Sequence, residues 1–146
     1  MKRLIVIFAF ILGSTFANAQ VNFNNAKLYK DDIDSKTAYK MQQDGTLLID
    51  VRTKREFNTS RAKGSINIPI FYEKAGRRDI NRNFLVEIAK TLKGDRTKKV
   101  ILICRSGSRT KFASNILAYN KFKNVYNIKN GFIYDWIKTD LPVTKQ

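Results

Sequence analysis

The chain of 146 residues has no histidine and only one cysteine, Cys104. Without histidine it lacks the usual general base near neutral pH and the most common metal ligand. This excludes a Cys–His catalytic pair and argues against a zinc site. A single cysteine cannot form a disulfide within the chain. Any chemistry at Cys104 must therefore depend on a thiolate that its immediate surroundings stabilise.

Acidic residues are also scarce, since 12 Asp and Glu oppose 28 Lys and Arg and the formal net charge is +16. Such a charge favours anionic partners in general. The basic residues are spread along the chain in short clusters, and no nucleic-acid-binding motif is present. We therefore expect a solvated basic surface, no nucleic-acid partner, and attraction of small anionic substrates.

No apolar run in the sequence reaches the length of about 20 residues that a membrane-spanning helix needs. The run at residues 4–12 follows the basic pair Lys2-Arg3 and precedes Ala17-Asn18-Ala19, which matches a signal-peptide cleavage site. We predict that residues 1–19 are a cleaved signal peptide and that the protein has no stable membrane anchor. The protein is then expected to be exported, which in a bacterium means to the periplasm. The signal carries two positive charges and no acidic residue, so the mature domain, residues 20–146, has 127 residues and a net charge of +14. That length suits one domain.

Apolar strand-like runs alternate with helical patterns along the mature chain. Strands are predicted at residues 26–29, 46–51, 98–104 and 125–128, after a loose polar start at residues 21–25. Helices are predicted to begin at Ser35, at Asn83 as an N-cap, and near Thr110, whereas residues 71–83 are charged and indicate a surface loop. This alternation predicts an α/β fold with a mainly parallel central sheet.

The chemistry of the chain is expected where the central strand ends. The apolar residues 100–103 lead into Cys104-Arg105-Ser106-Gly107-Ser108-Arg109, and a helix follows. The backbone N–H groups of such a turn and of the first helical turn have no helical partners and form an anion site, with the cysteine sulfur expected at its rim. A helix end alone contributes about 0.3–1 kcal/mol, so hydrogen bonds from the loop and its two arginines must add to the stabilisation of a thiolate.

Three smaller residues of this loop have expected roles. Gly107 should supply a positive φ or allow the backbone to close tightly. Ser106 and Ser108 are candidate hydroxyl donors. These three residues, with the two arginines, form the predicted active-site loop.

A second polar cluster follows the strand at residues 46–51. Asp50 and Arg52 end that strand, and Glu56 lies in the helical turn behind it. Arg52 and Glu56 are four residues apart and are expected to form an ion pair that fixes the loop beneath the catalytic one. Asp50, Arg52 and Glu56 are therefore predicted to have a structural role.

These motifs together resemble the single-domain rhodaneses, which are sulfurtransferases that carry sulfur as a cysteine persulfide. The resemblance rests on the six-residue Cys104 loop, on Asp50-Val51-Arg52, on Gly64-Ser65-Ile66-Asn67-Ile68-Pro69, and on Asn130-Gly131 before a helix with Trp136. One departure is Arg61-Ala62-Lys63, where the family often has a His-Ile pair. The resemblance implies helices on both faces of the sheet, with the ligand pocket at the carboxyl ends of the strands.

The resemblance also implies a mechanism. Cys104 would be the catalytic nucleophile, taking sulfur from a small anionic donor such as thiosulfate and passing it to cyanide, a small thiol or a protein thiol. Arg105 and Arg109 would orient the donor or hold the loop, and the sequence does not distinguish these two roles. No metal or organic cofactor is implied.

Two alternatives remain open from the sequence. One is a phosphatase or an arsenate-reducing enzyme on the same fold, although related cell-cycle phosphatases have a loop that is one residue longer. The other is a non-enzymatic persulfide carrier or binding protein.

If residues 1–19 are a cleaved signal, protein recovered from an exporting host should have the intact mass of Gln20–Gln146. Mass spectrometry of a soluble periplasmic fraction measures this directly. A full-length mass in that fraction would contradict the prediction.

Overall fold

The computed structural model describes residues 20–146, so the predicted signal peptide lies outside the described residues. The strands and the 3₁₀ helix are short, and α4 is the longest helix. In chain order the elements are β1 (Asp31–Ile33), α1 (Ser35–Gln43), β2 (Leu47–Asp50), α2 (Lys54–Thr59), β3 (Ser60–Ala62), β4 (Ile66–Asn67), β5 (Phe71–Lys74), β6 (Arg77–Ile80), α3 (Phe84–Thr91), β7 (Lys99–Ile103), α4 (Ser108–Tyr119), β8 (Asn124–Ile128), α5 (Gly131–Tyr134), a 3₁₀ helix (Trp136–Lys138) and β9 (Val143–Lys145).

The central sheet has five parallel strands in the order β1-β8-β7-β2-β4. Strand β7 lies in the middle, between β8 and β2, and is apolar and buried from Val100 to Ile103. Strands buried on both faces have this composition. The predicted α/β fold with a mainly parallel sheet is confirmed.

Alternate residues of the central strands enter two separate apolar cores, one on each face of the sheet. On one face Leu102 and its neighbours pack with Ile88 of α3 and Leu117 of α4. On the other face Ile101 and its neighbours pack with Ala38 of α1 and with the fully buried Trp136. The expected placement of helices on both faces is therefore also confirmed, and β7 is held rigidly from both sides.

The start of the described chain is more ordered than its polar composition suggests. Residues 26–29 do not form the predicted strand; the first strand is β1, which pairs with β8. The segment before it is fixed by the fully buried side chain of Asn115 in α4. The Asn115 amide donates to the carbonyls of Phe23 and Ala26, both at 2.8 Å, and accepts from the N–H of Leu28 at 2.7 Å. A side chain 87 or more residues away thus fixes the backbone here, which local sequence cannot reveal.

The prediction of a surface loop at residues 71–83 is wrong for most of its length. Strands β5 and β6 form an antiparallel hairpin across this segment. Its two turn residues, Ala75 and Gly76, both have positive φ, at 50° and 74°, as a tight hairpin turn requires. The hairpin is exposed on both faces, so it lacks the apolar alternation by which strands are recognised.

The base of the hairpin is fixed to the domain. The Phe71 ring stacks on Phe112 of α4, with 5.8 Å between centroids. The Asn81 side chain donates to the carbonyl of Pro69 at 2.9 Å and accepts from the N–H of Asn83 at 3.0 Å. Asn83 precedes α3 as predicted, but its own side chain makes no capping hydrogen bond.

Within residues 20–146, none of the helices has the length and apolar character needed to cross a bilayer.

Replacing Asn115 by alanine should release the N-terminal segment, because three backbone groups lose their partner. We expect a loss of about 1–3 kcal/mol in the free energy of unfolding, measured by urea denaturation. Faster hydrogen exchange should appear at the N–H of Leu28. Asn124→Ala is the control, since its amide makes one exposed hydrogen bond, to Thr97. Unchanged exchange at Leu28 in Asn115→Ala would refute this account.

Candidate active site

Cys104 lies immediately after β7, at the carboxyl edge of the central sheet. Its side chain is fully buried and packs with the apolar core on the α3 and α4 face. The sulfur therefore lies beneath the loop and not at the rim, where we expected it. The reason is that Cys104 continues the apolar strand as its last core residue, while the chain turns back above it.

One backbone donor of the loop contacts the sulfur, and several others are unpartnered within the described part of the chain. The N–H of Gly107 donates to Cys104 Sγ at 3.1 Å. Other N–H groups of the loop and first helical turn have no hydrogen-bond partner among residues 20–146; these belong to Arg105, Ser106, Ser108, Arg109 and Thr110. Unpartnered N–H groups at the start of a 12-residue helix favour an anion. The loop can therefore accommodate negative charge on, or just outside, the sulfur.

Two glycines allow this loop to pack against the segment after β8. Gly107 has a φ of 93°, and a Cβ atom there would lie 1.7 Å from the carbonyl oxygen of Lys129. At Gly131, a Cβ atom would lie 2.6 Å from the carbonyl oxygen of Cys104. The predicted need for glycine at 107 is confirmed for both reasons given, positive φ and close approach.

The contact between the Gly131 segment and the start of the loop orients the loop. The N–H groups of Phe132 and Ile133 donate to the carbonyls of Cys104 and Arg105, at 2.7 and 3.0 Å. Because these carbonyls are held by α5, the N–H groups of Arg105 and Ser106, which share their peptide units, point away from α5. Asn130 has a φ of −101°, in the right-handed region, and Gly131 takes the positive φ of 67°.

Thr110 is a site residue that the sequence analysis did not identify. Its hydroxyl is fully buried, lies 3.4 Å from Cys104 Sγ, and donates to the carbonyl of Gly107 at 2.8 Å. That carbonyl also accepts from the N–H of Lys111, so the hydroxyl can turn to donate to a deprotonated sulfur without leaving the carbonyl unpaired. The serines, by contrast, are exposed and lie outside hydrogen-bond contact with the sulfur. The hydroxyl beside the sulfur is that of Thr110, one residue beyond Arg109. The donor role of Ser106 and Ser108 toward a bound anion stays a prediction.

The predicted ion pair between Arg52 and Glu56 is wrong, because each residue has another partner. Arg52 binds Asp50: Nη2 donates to Oδ2 at 2.6 Å and Nε to both carboxylate oxygens at 3.0 Å. Both side chains are buried, and Arg52 also donates to the carbonyl of Ser60. Burial raises the pKa of the Asp50 carboxyl, and the contacts with Arg52 oppose that rise. The Arg52 guanidinium lies over the Phe132 ring, 4.4 Å from its centroid.

Glu56 binds Arg109, across 53 residues of sequence. The two guanidinium nitrogens donate to the two carboxylate oxygens at 2.7 and 2.8 Å. Glu56 also accepts from the N–H of Thr53, while the Thr53 hydroxyl accepts from the N–H of Glu56, which forms a capping box on α2. Partial burial works to raise the pKa of Glu56, but the Arg109 and Thr53 contacts outweigh it and lower that pKa to about 2.

The roles of the two loop arginines are thereby separated. Arg109 is buried and bound to Glu56, so it holds the loop. Arg105 is exposed and lines a cavity of about 370 Å³, together with Arg55, Glu73, Arg78, Phe132 and Ile133. We call this space the arginine cavity.

Ser106 and Ser108 line a different cavity, of about 270 Å³, with Lys111 and Lys129. No group of three or more metal-ligating side chains occurs within residues 20–146.

Comparison with known proteins gives a consistent family assignment. Residues 34–138 match the family model described as "Rhodanese-like domain". The chain is 32% identical, over 113 residues, to rhodanese-like domain-containing protein 17 of Arabidopsis thaliana, covering 76% of this chain and 70% of that protein. It is 33% identical to a tRNA uridine(34) hydroxylase of Hamiltonella defensa over 66% of this chain, and spans about a quarter (26%) of that relative's length.

One solved neighbour illustrates the shared fold. The polysulfide-sulfur transferase homodimer of Wolinella succinogenes superposes with a TM-score of 0.62 at 23% identity. The match covers 82% of this chain and 80% of that one. At this identity the likeness demonstrates the fold alone.

The Glu56–Arg109 pair should make the domain sensitive to acid. The pKa of Glu56 is lowered from 4.5 to about 2 on folding, so its stabilising effect is complete above pH 4.5 and is lost as the pH falls toward 2. Glu56→Gln should cost about 1–3 kcal/mol in the free energy of unfolding near neutral pH, and less as the pH approaches 2. Urea denaturation across this pH range measures both.

The matched control is Glu73→Gln, which removes the exposed ion pair with Arg55 and should cost under about 1 kcal/mol. Equal losses in the two variants, or a loss in Glu56→Gln that is unchanged by acid, would contradict the proposed importance of the Arg109 contact.

Proposed function

The chain belongs to the rhodanese-like domain family, and on that premise we propose that it is a sulfurtransferase that works through a persulfide on Cys104. The observation that carries the proposal is the 3.1 Å hydrogen bond from the Gly107 N–H to Sγ, surrounded by unpartnered loop N–H groups. A persulfide on Cys104 would place its outer, negatively charged sulfur beyond Sγ, where such donors stabilise charge. No cofactor is needed for this chemistry.

The first half-reaction loads the enzyme. The Cys104 thiolate attacks the outer sulfur of thiosulfate and forms a new S–S bond. The bond between the two thiosulfate sulfurs breaks, and sulfite leaves with the electron pair. The dianionic donor and the dianionic product both favour a positively charged approach, which Arg105 supplies from the arginine cavity.

The second half-reaction discharges the enzyme. Cyanide or a thiolate attacks the outer sulfur of the persulfide, the S–S bond to Cys104 breaks, and the cysteine returns to a thiolate. Among residues 20–146 Cys104 is the only cysteine, so each sulfur must leave directly to an external acceptor. The Thr110 hydroxyl and the Gly107 N–H can each stabilise the leaving thiolate.

The six-residue loop favours sulfur transfer over the phosphatase and arsenate-reducing alternatives. The loop from Cys104 to Arg109 has six residues, one fewer than in the related cell-cycle phosphatases. A tetrahedral phosphate needs a wider cradle than a single sulfur atom. A persulfide carrier would differ from the enzyme only in turnover, and the experiment below distinguishes the two.

We also propose that the protein acts after export to the periplasm, on small anionic donors.

Treatment with thiosulfate should add one sulfur atom to the mature protein, and cyanide should remove it with steady production of thiocyanate. Cys104→Ser should abolish both steps, because an alcohol is not ionised near neutral pH. Intact-mass spectrometry and a thiocyanate assay measure the two half-reactions, and circular dichroism checks that the variant folds.

A single stoichiometric transfer that no acceptor accelerates would favour the carrier and overturn the enzyme proposal. Residual thiocyanate production by Cys104→Ser would exclude persulfide chemistry at this residue. Turnover of an aryl phosphate comparable to that of thiosulfate would remove the argument from loop length.

A further inference from the structure

The β5–β6 hairpin brings a second exposed arginine to the cavity beside the catalytic loop. Arg78 of β6 lines the arginine cavity opposite residues of α2 and together with Arg105. The neighbouring Arg77 does not line it, because successive residues of a strand point to opposite sides. The base of the hairpin is fixed by the Phe71–Phe112 stack, and Arg78 lies nearer the turn, opposite Glu73 of β5.

The charges around this cavity are not balanced. Glu73 binds Arg55 through both carboxylate oxygens, at 3.1 and 3.2 Å. Glu56 binds Arg109, and the buried Asp50 behind the wall binds Arg52. Arg78 and Arg105 form no ion pair with any residue from 20 to 146. Two positive charges therefore face a cavity in which every carboxylate already has an arginine partner.

The cavity is also larger and more apolar than a small inorganic anion requires. Its volume of about 370 Å³ falls within the range of roughly 300–1,000 Å³ found for organic ligands. Ile133 supplies an apolar part of the cavity wall, whereas Phe132 is only 2% exposed and its ring lies under the Arg52 guanidinium. A four- or five-atom anion would contact the arginines but would leave this wall unused.

We propose that the sulfur acceptor is a small organic thiol that carries carboxylate groups, and that Arg78 is the residue that selects it. The carboxylates would bind Arg78 and Arg105, and the carbon chain would pack against Ile133. This inference rests on the proposed function, because the thiol acts on the Cys104 persulfide. It adds the chemical class of the acceptor and a specificity residue outside the loop.

The transfer balances without any further reactant. The acceptor thiolate attacks the outer sulfur of the persulfide and forms a new S–S bond. The S–S bond to Cys104 breaks, and Cys104 leaves as a thiolate with the electron pair. One persulfide and one thiolate are consumed and one of each is formed, so there is no net oxidation or reduction.

The test compares three thiols on protein that has been loaded with thiosulfate and freed of excess donor. Mercaptosuccinate carries two carboxylates, 2-mercaptoethanol is neutral, and cysteamine is cationic. The rate of loss of the added sulfur is followed by mass spectrometry at equal thiolate concentrations. Wild-type protein should prefer mercaptosuccinate over 2-mercaptoethanol, and 2-mercaptoethanol over cysteamine.

Arg78→Ala should reduce the preference for mercaptosuccinate over 2-mercaptoethanol by about fivefold, as expected for loss of a partly exposed ion pair of roughly 1 kcal/mol. Arg77→Ala is the matched control, since it removes the same charge from the adjacent residue and should leave that preference unchanged. The intrinsic reactivities of the thiols cancel when the preference is compared between variants. Discharge by cyanide should remain in all three proteins.

The outcomes separate the two proposals. If wild-type protein takes no sulfur from thiosulfate or does not lose it to cyanide, the proposed function fails. If loading and cyanide discharge succeed but the three thiols react alike, the acceptor class is wrong. If Arg77→Ala and Arg78→Ala change the preference equally, overall charge rather than Arg78 selects the acceptor, and the specificity role is overturned.

Discussion

The site depends most on the ion pair between Glu56 and Arg109, which joins the segment after β2 to the end of the Cys104 loop. Glu56 is itself fixed by the capping box of α2, so its carboxylate is already positioned when Arg109 reaches it. Both guanidinium nitrogens are used in the contact, which sets the direction of the Arg109 side chain as well as its distance. The first turn of α4 is thereby held over Cys104, and its N–H groups remain available to an anion.

A second constraint on the site is the backbone packing of the Cys104 loop against the start of α5. The carbonyls of Cys104 and Arg105 accept from the N–H groups at the start of α5, and this is possible only because residue 131 has no side chain. A peptide group whose carbonyl is held outward presents its N–H on the opposite side. The anion site over the sulfur is therefore a consequence of how two loops pack, and the arginines act on a cradle that the backbone has already formed.

The sequence predicted those features that follow from local pattern. The apolar run of β7, the turn behind Cys104 and the alternation of strands and helices were sufficient for the fold, and Gly107 was identified for the correct reason. The failures concern contacts between distant segments. Arg52 and Glu56 are four residues apart, yet α2 begins between them, so Arg52 turns back to Asp50 while Glu56 meets Arg109. The capping-box spacing from Thr53 to Glu56 was the one local indication of this outcome.

The distribution of arginines also bears on how the site could discriminate between ligands. Arg52 and Arg109 are buried and neutralised by carboxylates, which makes them part of the scaffold. Arg105 and Arg78 are exposed and lack such partners among residues 20–146, so their charge is available to a ligand. Arg105 directly follows Cys104, the proposed nucleophile, and would meet every donor, whereas Arg78 is carried by a hairpin that the sheet does not require. The Cys104 loop would then carry out the chemistry and the β5–β6 hairpin would select the ligand. Substitutions in the hairpin would change ligand selectivity while the loop around Cys104 stayed the same.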